Sequence, residues 1–104
     1  MFARVATFEG GDADRLVAMN EERMQAGTMN PPEGIKSVML LADRDSGRSM
    51  FLSFFDSREA IQAAEERFEQ MGDEVPEEIR GRRMSVDVYE VVMSMQTAPT
   101  PAGA

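Results

Sequence analysis

The sequence predicts an α+β fold of the ferredoxin-like type, βαββαβ, with a four-stranded antiparallel sheet and two helices on one of its faces. Three observations carry this. Short apolar runs with strand character alternate with stretches of helical periodicity in that order. Two of the runs are joined by the short polar turn Asp43 to Gly47, which makes them an antiparallel hairpin. Glycine, proline and helix-capping residues fall between the runs rather than inside them.

Phe2 to Glu9 reads as the first strand, with Phe2, Arg4, Ala6 and Phe8 on one face and Ala3, Val5 and Thr7 on the other. Gly10-Gly11 breaks it, and Asp12 is placed to cap a helix from Ala13 to about Ala26. Leu16, Val17, Asn20 and Met24 share one face of that helix, and Gly27 followed by Asn30-Pro31-Pro32 stops it. Ile35 to Ala42 and Arg48 to Phe55 form the hairpin strands. Asp56-Ser57-Arg58-Glu59 has the form of a capping box, with Asp56 as acceptor and Glu59 three residues on. The second helix carries Ala60, Ile61, Ala64, Phe68 and Met71 along one stripe and ends at Gly72. A charged connector, Asp73 to Arg83, has room for one helical turn after Pro76, and Met84 to Met95 reads as the fourth strand. The domain therefore occupies residues 1–95, and residues 96–104, with Pro99, Pro101 and Gly103, read as a disordered tail.

Composition narrows the chemistry. At 104 residues the chain fits one small domain with a modest core. It contains no cysteine, histidine or tryptophan, which removes thiolate nucleophiles, disulfides, the commonest general base and the usual ligands of zinc. A net charge of −8 argues against nucleic acid and anionic membrane as partners. There is neither a membrane-length apolar run nor a signal-like start, so the expected location is the cytoplasm. Ten methionines supply pliable, polarisable filling for an irregular core or an adaptable pocket.

The strands are apolar on both sides. In the third, Met50, Leu52 and Phe54 oppose Phe51 and Phe55, with Ser53 between them. In the second, Ile35, Met39 and Leu41 oppose Val38 and Leu40. In the fourth, Val86, Val88 and Val92 oppose Tyr89, Val91 and Met93. Two helices cover only one face, so the other calls for a second copy of the chain, packed sheet to sheet.

Several segments carry a family resemblance: Pro32-Glu33-Gly34, Asp45-Ser46-Gly47, Leu52-Ser53-Phe54-Phe55-Asp56-Ser57-Arg58-Glu59-Ala60 and Val88-Tyr89-Glu90-Val91-Val92. With them the chain resembles the dimeric α/β-barrel superfamily and, within it, the antibiotic-biosynthesis-monooxygenase-like proteins. The resemblance implies a sheet-to-sheet homodimer and a cleft between helices and sheet in each subunit. Members include cofactor-free oxygenases of reduced aromatic substrates and enzymes that degrade haem. The third-strand motif commonly has Trp where this chain has Phe55, and the Asn–Trp–His constellation of the haem-degrading members has no counterpart here. Haem degradation is therefore not expected. Quinone-forming oxygenation remains compatible, because a deprotonated ring supplies its own electrons to oxygen and the protein has to bind, orient and desolvate it. The expected activity is that of a cofactor-independent monooxygenase-like protein acting on a small apolar or aromatic molecule. The alternative is a non-catalytic dimeric module that binds a ligand or acts as a structural or regulatory partner. No cofactor and no metal is expected.

The candidate ligand-binding residues are Asn20, Arg4, Met24, Phe51, Phe54, Phe55, Phe68 and Tyr89. Asn20 is an amide on an apolar helix face, fit for a phenol or carbonyl oxygen or for backbone and water. Arg4 fits an anionic substrate group, or an ion pair at an edge or interface. Tyr89 fits a pocket wall or a dimer interface. Phe51, Phe54, Phe55, Phe68 and Met24 fit a flat hydrophobic cleft or simple core packing. Arg23 reads as a surface residue, and Glu65, Glu66 and Glu69, beside Arg67, as a solvated helix face rather than a metal site.

Overall fold

In the computed structural model, which describes residues 1–97, the chain runs β1 (Phe2–Glu9), α1 (Ala13–Ala26), β2 (Ser37–Asp43), β3 (Arg48–Phe55), α2 (Arg58–Asp73), α3 (Glu77–Arg80) and β4 (Arg82–Glu90). The strands form one sheet in the order β2-β3-β1-β4, and every neighbouring pair is antiparallel. This is the ferredoxin-like arrangement, with β1 and β3 central. The expected tail lies largely outside the described residues, at 98–104.

Local chemistry sets the ends of α1. The Asp12 carboxylate accepts from the Arg15 N–H at 3.1 Å. At the other end Gly27 takes the left-handed conformation, φ 69°, and its N–H bonds to the Met24 carbonyl while Thr28 N–H reaches Arg23 O at 3.0 Å. The start of α2 falls one residue later than the capping-box pattern suggested. Ser57, not Asp56, is the cap, accepting from Ala60 N–H at 3.1 Å. Ala60 then occupies the position a reciprocal glutamate would need, so Glu59 closes no box. Gly72 lies inside the last turn of α2 rather than ending it.

Pairing partners decide where the outer strands stop. β4 was expected over Met84 to Met95 but spans Arg82–Glu90. It starts early because Glu9 pairs with Arg82, and it ends at Glu90 because that residue pairs with Phe2, the first residue of β1. One further ladder bond, Val91 N–H to Met1 O at 2.9 Å, exhausts the neighbour. Val92, Met93 and Met95 beyond it are exposed. β2 likewise begins at Ser37, not Ile35. Ile35 sits in a turn, its N–H directed at Pro32 O, and packs against the core instead of sharing a face with Met39 and Leu41.

Register places Phe2, Arg4, Ala6, Phe8, Phe51, Phe55, Val38, Leu40 and Val88 on the helix-bearing face. The core there is Phe55, Ile61, Ala64 and Phe68, with Phe55 fully buried. Its ring meets Phe68 edge-on, centroids 6.0 Å apart. α2 is thus packed down on the sheet through Ile61, Ala64 and Phe68. By contrast, none of the residues of α1 is buried.

The two crossovers touch where the backbone is most crowded. Asp12 N–H bonds to Ile79 O at 2.9 Å, tying the start of α1 to α3. Gly81, at φ 86°, brings its Cα so close that an added Cβ would lie 2.9 Å from both Glu9 O and Gly11 N. Both the left-handed backbone and the contact demand glycine. Gly81→Ala is expected to cost at least ~2 kcal/mol, read as a lowered urea midpoint at unchanged slope.

Candidate functional site

The space beneath α1 is a cleft of about 940 Å³. Its roof is the inner face of α1, Leu16, Asn20 and Met24, one helical turn apart. Its floor is the sheet, chiefly Ala6, Phe8, Leu40 and Phe51, and Phe68 and Met71 of α2 close one side. The lining exposes more apolar than polar surface, as small-molecule sites do, but it also carries six arginines and four carboxylates. Met24 is 66% exposed although it lies on the inward face, because the cleft beneath it is open. The Asn20 side chain makes no hydrogen bond among the described residues.

Arg4 rises from the floor. It is only 3% exposed, and its guanidinium donates to Glu65 through Nε–H to Oε1 at 2.9 Å and Nη2–H to Oε2 at 3.2 Å. The same guanidinium lies over the Phe68 ring, Cζ 4.1 Å from its centroid. The ion pair expected of Arg4 therefore exists, but within the chain between sheet and helix rather than at an edge or interface.

Five of the eight candidates, Arg4, Asn20, Met24, Phe51 and Phe68, line this cleft. Three do not. Phe54 and Tyr89 pair with Ala3 on the opposite face of the sheet, so strand alternation points them away. Phe55 has the right face but is sealed beneath α2. Arg23 is a further correction: it is half-buried at the cleft wall, its Nη2 donating to Glu74 O at 3.4 Å. Nor are the α2 glutamates simply solvated, since Glu65 holds Arg4 and Glu69 accepts from Arg83 at 2.7 Å. Arg83, with Coulombic support from Arg4 and Arg80, keeps the Glu69 carboxyl below the usual glutamate range.

Arg67, Arg80 and Arg83 are cleft residues that pattern reading did not single out. Arg67 donates to Asn30 O at 2.8 Å and to Glu74 at 3.1 Å, holding the loop after α1 against α2. Arg83 enters through a bulge. The β1–β4 register shifts between Thr7 and Phe8, so that Ser85 faces Thr7 but Arg83, not Met84, faces Phe8. No periodicity in the strand announces that shift. The described residues contain no group of three or more acidic side chains arranged to hold a metal ion, and no helix among them is long and apolar enough to cross a membrane.

Fold and site together define a ferredoxin-like α+β protein with a broad cleft between α1 and the sheet. No protein-family model matches the chain, and no curated protein sequence matches it. Among solved structures it is similar to MhuD, in the crystal structure of an arginine-to-serine mutant with two manganese protoporphyrin IX molecules bound per active site. The identity is 14% and the TM-score 0.55, over 93% of this chain and 100% of that one. At that identity the likeness is one of fold.

Removing the Arg4 partner is the sharpest probe of the site's framework. Glu65→Gln leaves the Arg4 charge without a carboxylate and is expected to cost about 2 kcal/mol, below the ~3–5 of a fully buried pair because Glu65 keeps water contact. Arg4→Met combined with Glu65→Gln should be more stable than Glu65→Gln alone, as urea titration of the three chains would show.

Proposed function

We propose that this chain is an antibiotic-biosynthesis-monooxygenase-like protein that binds a small, flat apolar or aromatic molecule between α1 and the sheet. One observation carries the reading: a helix with an apolar inner face is held off the sheet over an open cleft instead of being packed down. The porphyrins in MhuD support a ligand in a protein of this fold. An iron porphyrin would find no imidazole or thiolate in this chain, so a metal-free aromatic is the better occupant.

The reaction we assign is cofactor-independent oxygenation of a hydroquinone- or anthrone-type substrate. The substrate gives up two hydrogens, the first as a proton released to solvent, and four electrons; one atom of O₂ enters the ring carbon and the other leaves as water carrying those two hydrogens. Asn20, with no hydrogen-bond partner among the described residues, is the group available to hold the ring oxygen as it becomes anionic, and the apolar walls exclude water. A non-catalytic binding role is favoured by a different feature. Several of the cleft's arginines are already held by carboxylates, as in Arg4–Glu65 and Arg83–Glu69, and the chain has no histidine to move a proton.

We further propose a homodimer through the uncovered face and, on the acidic, cysteine-free composition, a cytoplasmic location. Met39, Leu41 and Tyr89 are 50%, 43% and 57% exposed there, on the same face as Leu52 and Phe54. Burying even ~500 Å² of it favours association by roughly 12 kcal/mol before the entropic cost of joining two bodies.

Oxygen-electrode traces with an anthrone-type substrate should show uptake above the buffer rate, slowed roughly 10–100-fold by Asn20→Ala. Uptake no faster than buffer would remove the catalytic reading and leave the binding one, which native mass spectrometry tests through a retained small molecule. Light scattering at micromolar concentration should give twice the chain mass, and Leu41→Asp should return a folded monomer; a monomeric parent chain would sink the dimer.

A further inference from the structure

The cleft reverses the sign of the protein around it. The chain carries −8 overall, yet Arg4, Arg23, Arg67, Arg80, Arg82 and Arg83 border this one space against only four carboxylates. Most of these cations are already answered. Arg4 is held by Glu65, Arg83 by Glu69, and Arg23 and Arg67 share Glu74. Arg80 and Arg82 have no carboxylate within salt-bridge distance among the described residues.

The two differ in how they are held. Arg82 is exposed, whereas Arg80 is half-buried. Its Nε–H donates to Gly72 O at 3.1 Å and its Nη1–H to Gly81 O at 3.0 Å. Two carbonyls fix the guanidinium without cancelling its charge, and they leave Nη2–H donors unspent. A cation already immobilised loses little freedom when an anion docks on it.

We infer that the cleft's ligand carries an oxyanion, a carboxylate or a group of like chemistry, and that Arg80 receives it while the apolar body lies under α1 against Phe51 and Phe68. The inference rests on the cleft being a ligand site, and its test separates the two ideas. The probes are anilinonaphthalene sulfonate and its uncharged parent, phenylnaphthylamine, which fluoresce on entering apolar surroundings. Only binding weakened by Asn20→Trp, which sets an indole into the cleft from α1 and narrows it, is counted.

The sulfonate is expected to bind about tenfold more tightly than the parent, the worth of one charged hydrogen bond. Arg80→Gln should erase that advantage, leaving the parent's affinity unchanged, and Arg82→Gln should reduce it less. Raising salt from ~50 to ~500 mM should weaken the sulfonate alone, a readout on the native chain that needs no variant to fold. Equal affinities, a salt-independent ratio, or a ratio untouched by Arg80→Gln would overturn the inference and leave the cleft as a site for neutral molecules. If neither probe shows binding sensitive to Asn20→Trp, the ligand-site reading falls and this inference with it.

Discussion

The Arg4 guanidinium is the constraint from which the rest of the helix-bearing face follows. A charge on a central strand, 3% exposed, is tolerable only if a carboxylate comes to it. Glu65 is that carboxylate, and Phe68, one turn further along the same helix, lies under the guanidinium. Together they seat α2 on the part of the sheet where Phe55 is sealed in. α1 is left over the remainder and is secured by its ends rather than its face: Asp12 to Ile79 at the start, Arg23 to Glu74 at the finish. A helix pinned at both ends need not collapse onto the sheet, and the cleft is the space it leaves.

Much of this was legible in the residues, for reasons that differ by element. β1, α1 and β3 begin and end where expected because their limits are chemical and local: Gly10-Gly11, the Asp12 cap, the Gly27 stop, the Asp43–Gly47 turn. The ends of β2 and β4 are set by where β3 and β1 run out, which no local pattern encodes. Alternation grouped the residues of β1 and β3 by face correctly, setting Arg4 with Ala6 and Phe51 with Phe55, but it misplaced Ile35 and did not say which face the helices cover. Phe54 and Tyr89 were drawn in by their aromatic character against that same parity, and parity prevailed. Arg83 could not have been placed, because its entry depends on a bulge beside Thr7. Arg67 and Arg80 act through carbonyls of Asn30, Gly72 and Gly81, partners that side-chain chemistry does not reveal.

The sheet faces two apolar tasks and separates them by strand alternation. Residues one apart on β3, Phe51 and Leu52, serve different surfaces: the first floors the cleft and the second lies on the uncovered side. A one-residue slip in register would exchange them wholesale. The Asp43 turn guards against that slip. Its carboxylate accepts from Asp45 N–H at 3.0 Å, and Gly47 N–H closes onto Asp43 O at 2.9 Å. Gly10 N–H to Gly47 O, at 3.0 Å, then ties the hairpin's register to β1.

The charge partition has a kinetic side as well as an energetic one. Carboxylates spread over the outer surface give an approaching anion a repulsive field, while the arginines act only once it is within the cleft. At physiological salt that field fades over about 8 Å, so the exterior slows encounter modestly and the local cations decide whether the anion stays. Several of those cations also have structural duties. Arg83 holds Glu69, and Arg67 and Arg23 hold Glu74, so a ligand anion competing for them would have to break contacts that keep the loop after α1 and the end of α2 in place. Arg80, fixed by carbonyls that carry no net charge, can take an anion without releasing anything. Discrimination then comes from which arginine is unengaged, not from how many arginines the cleft contains.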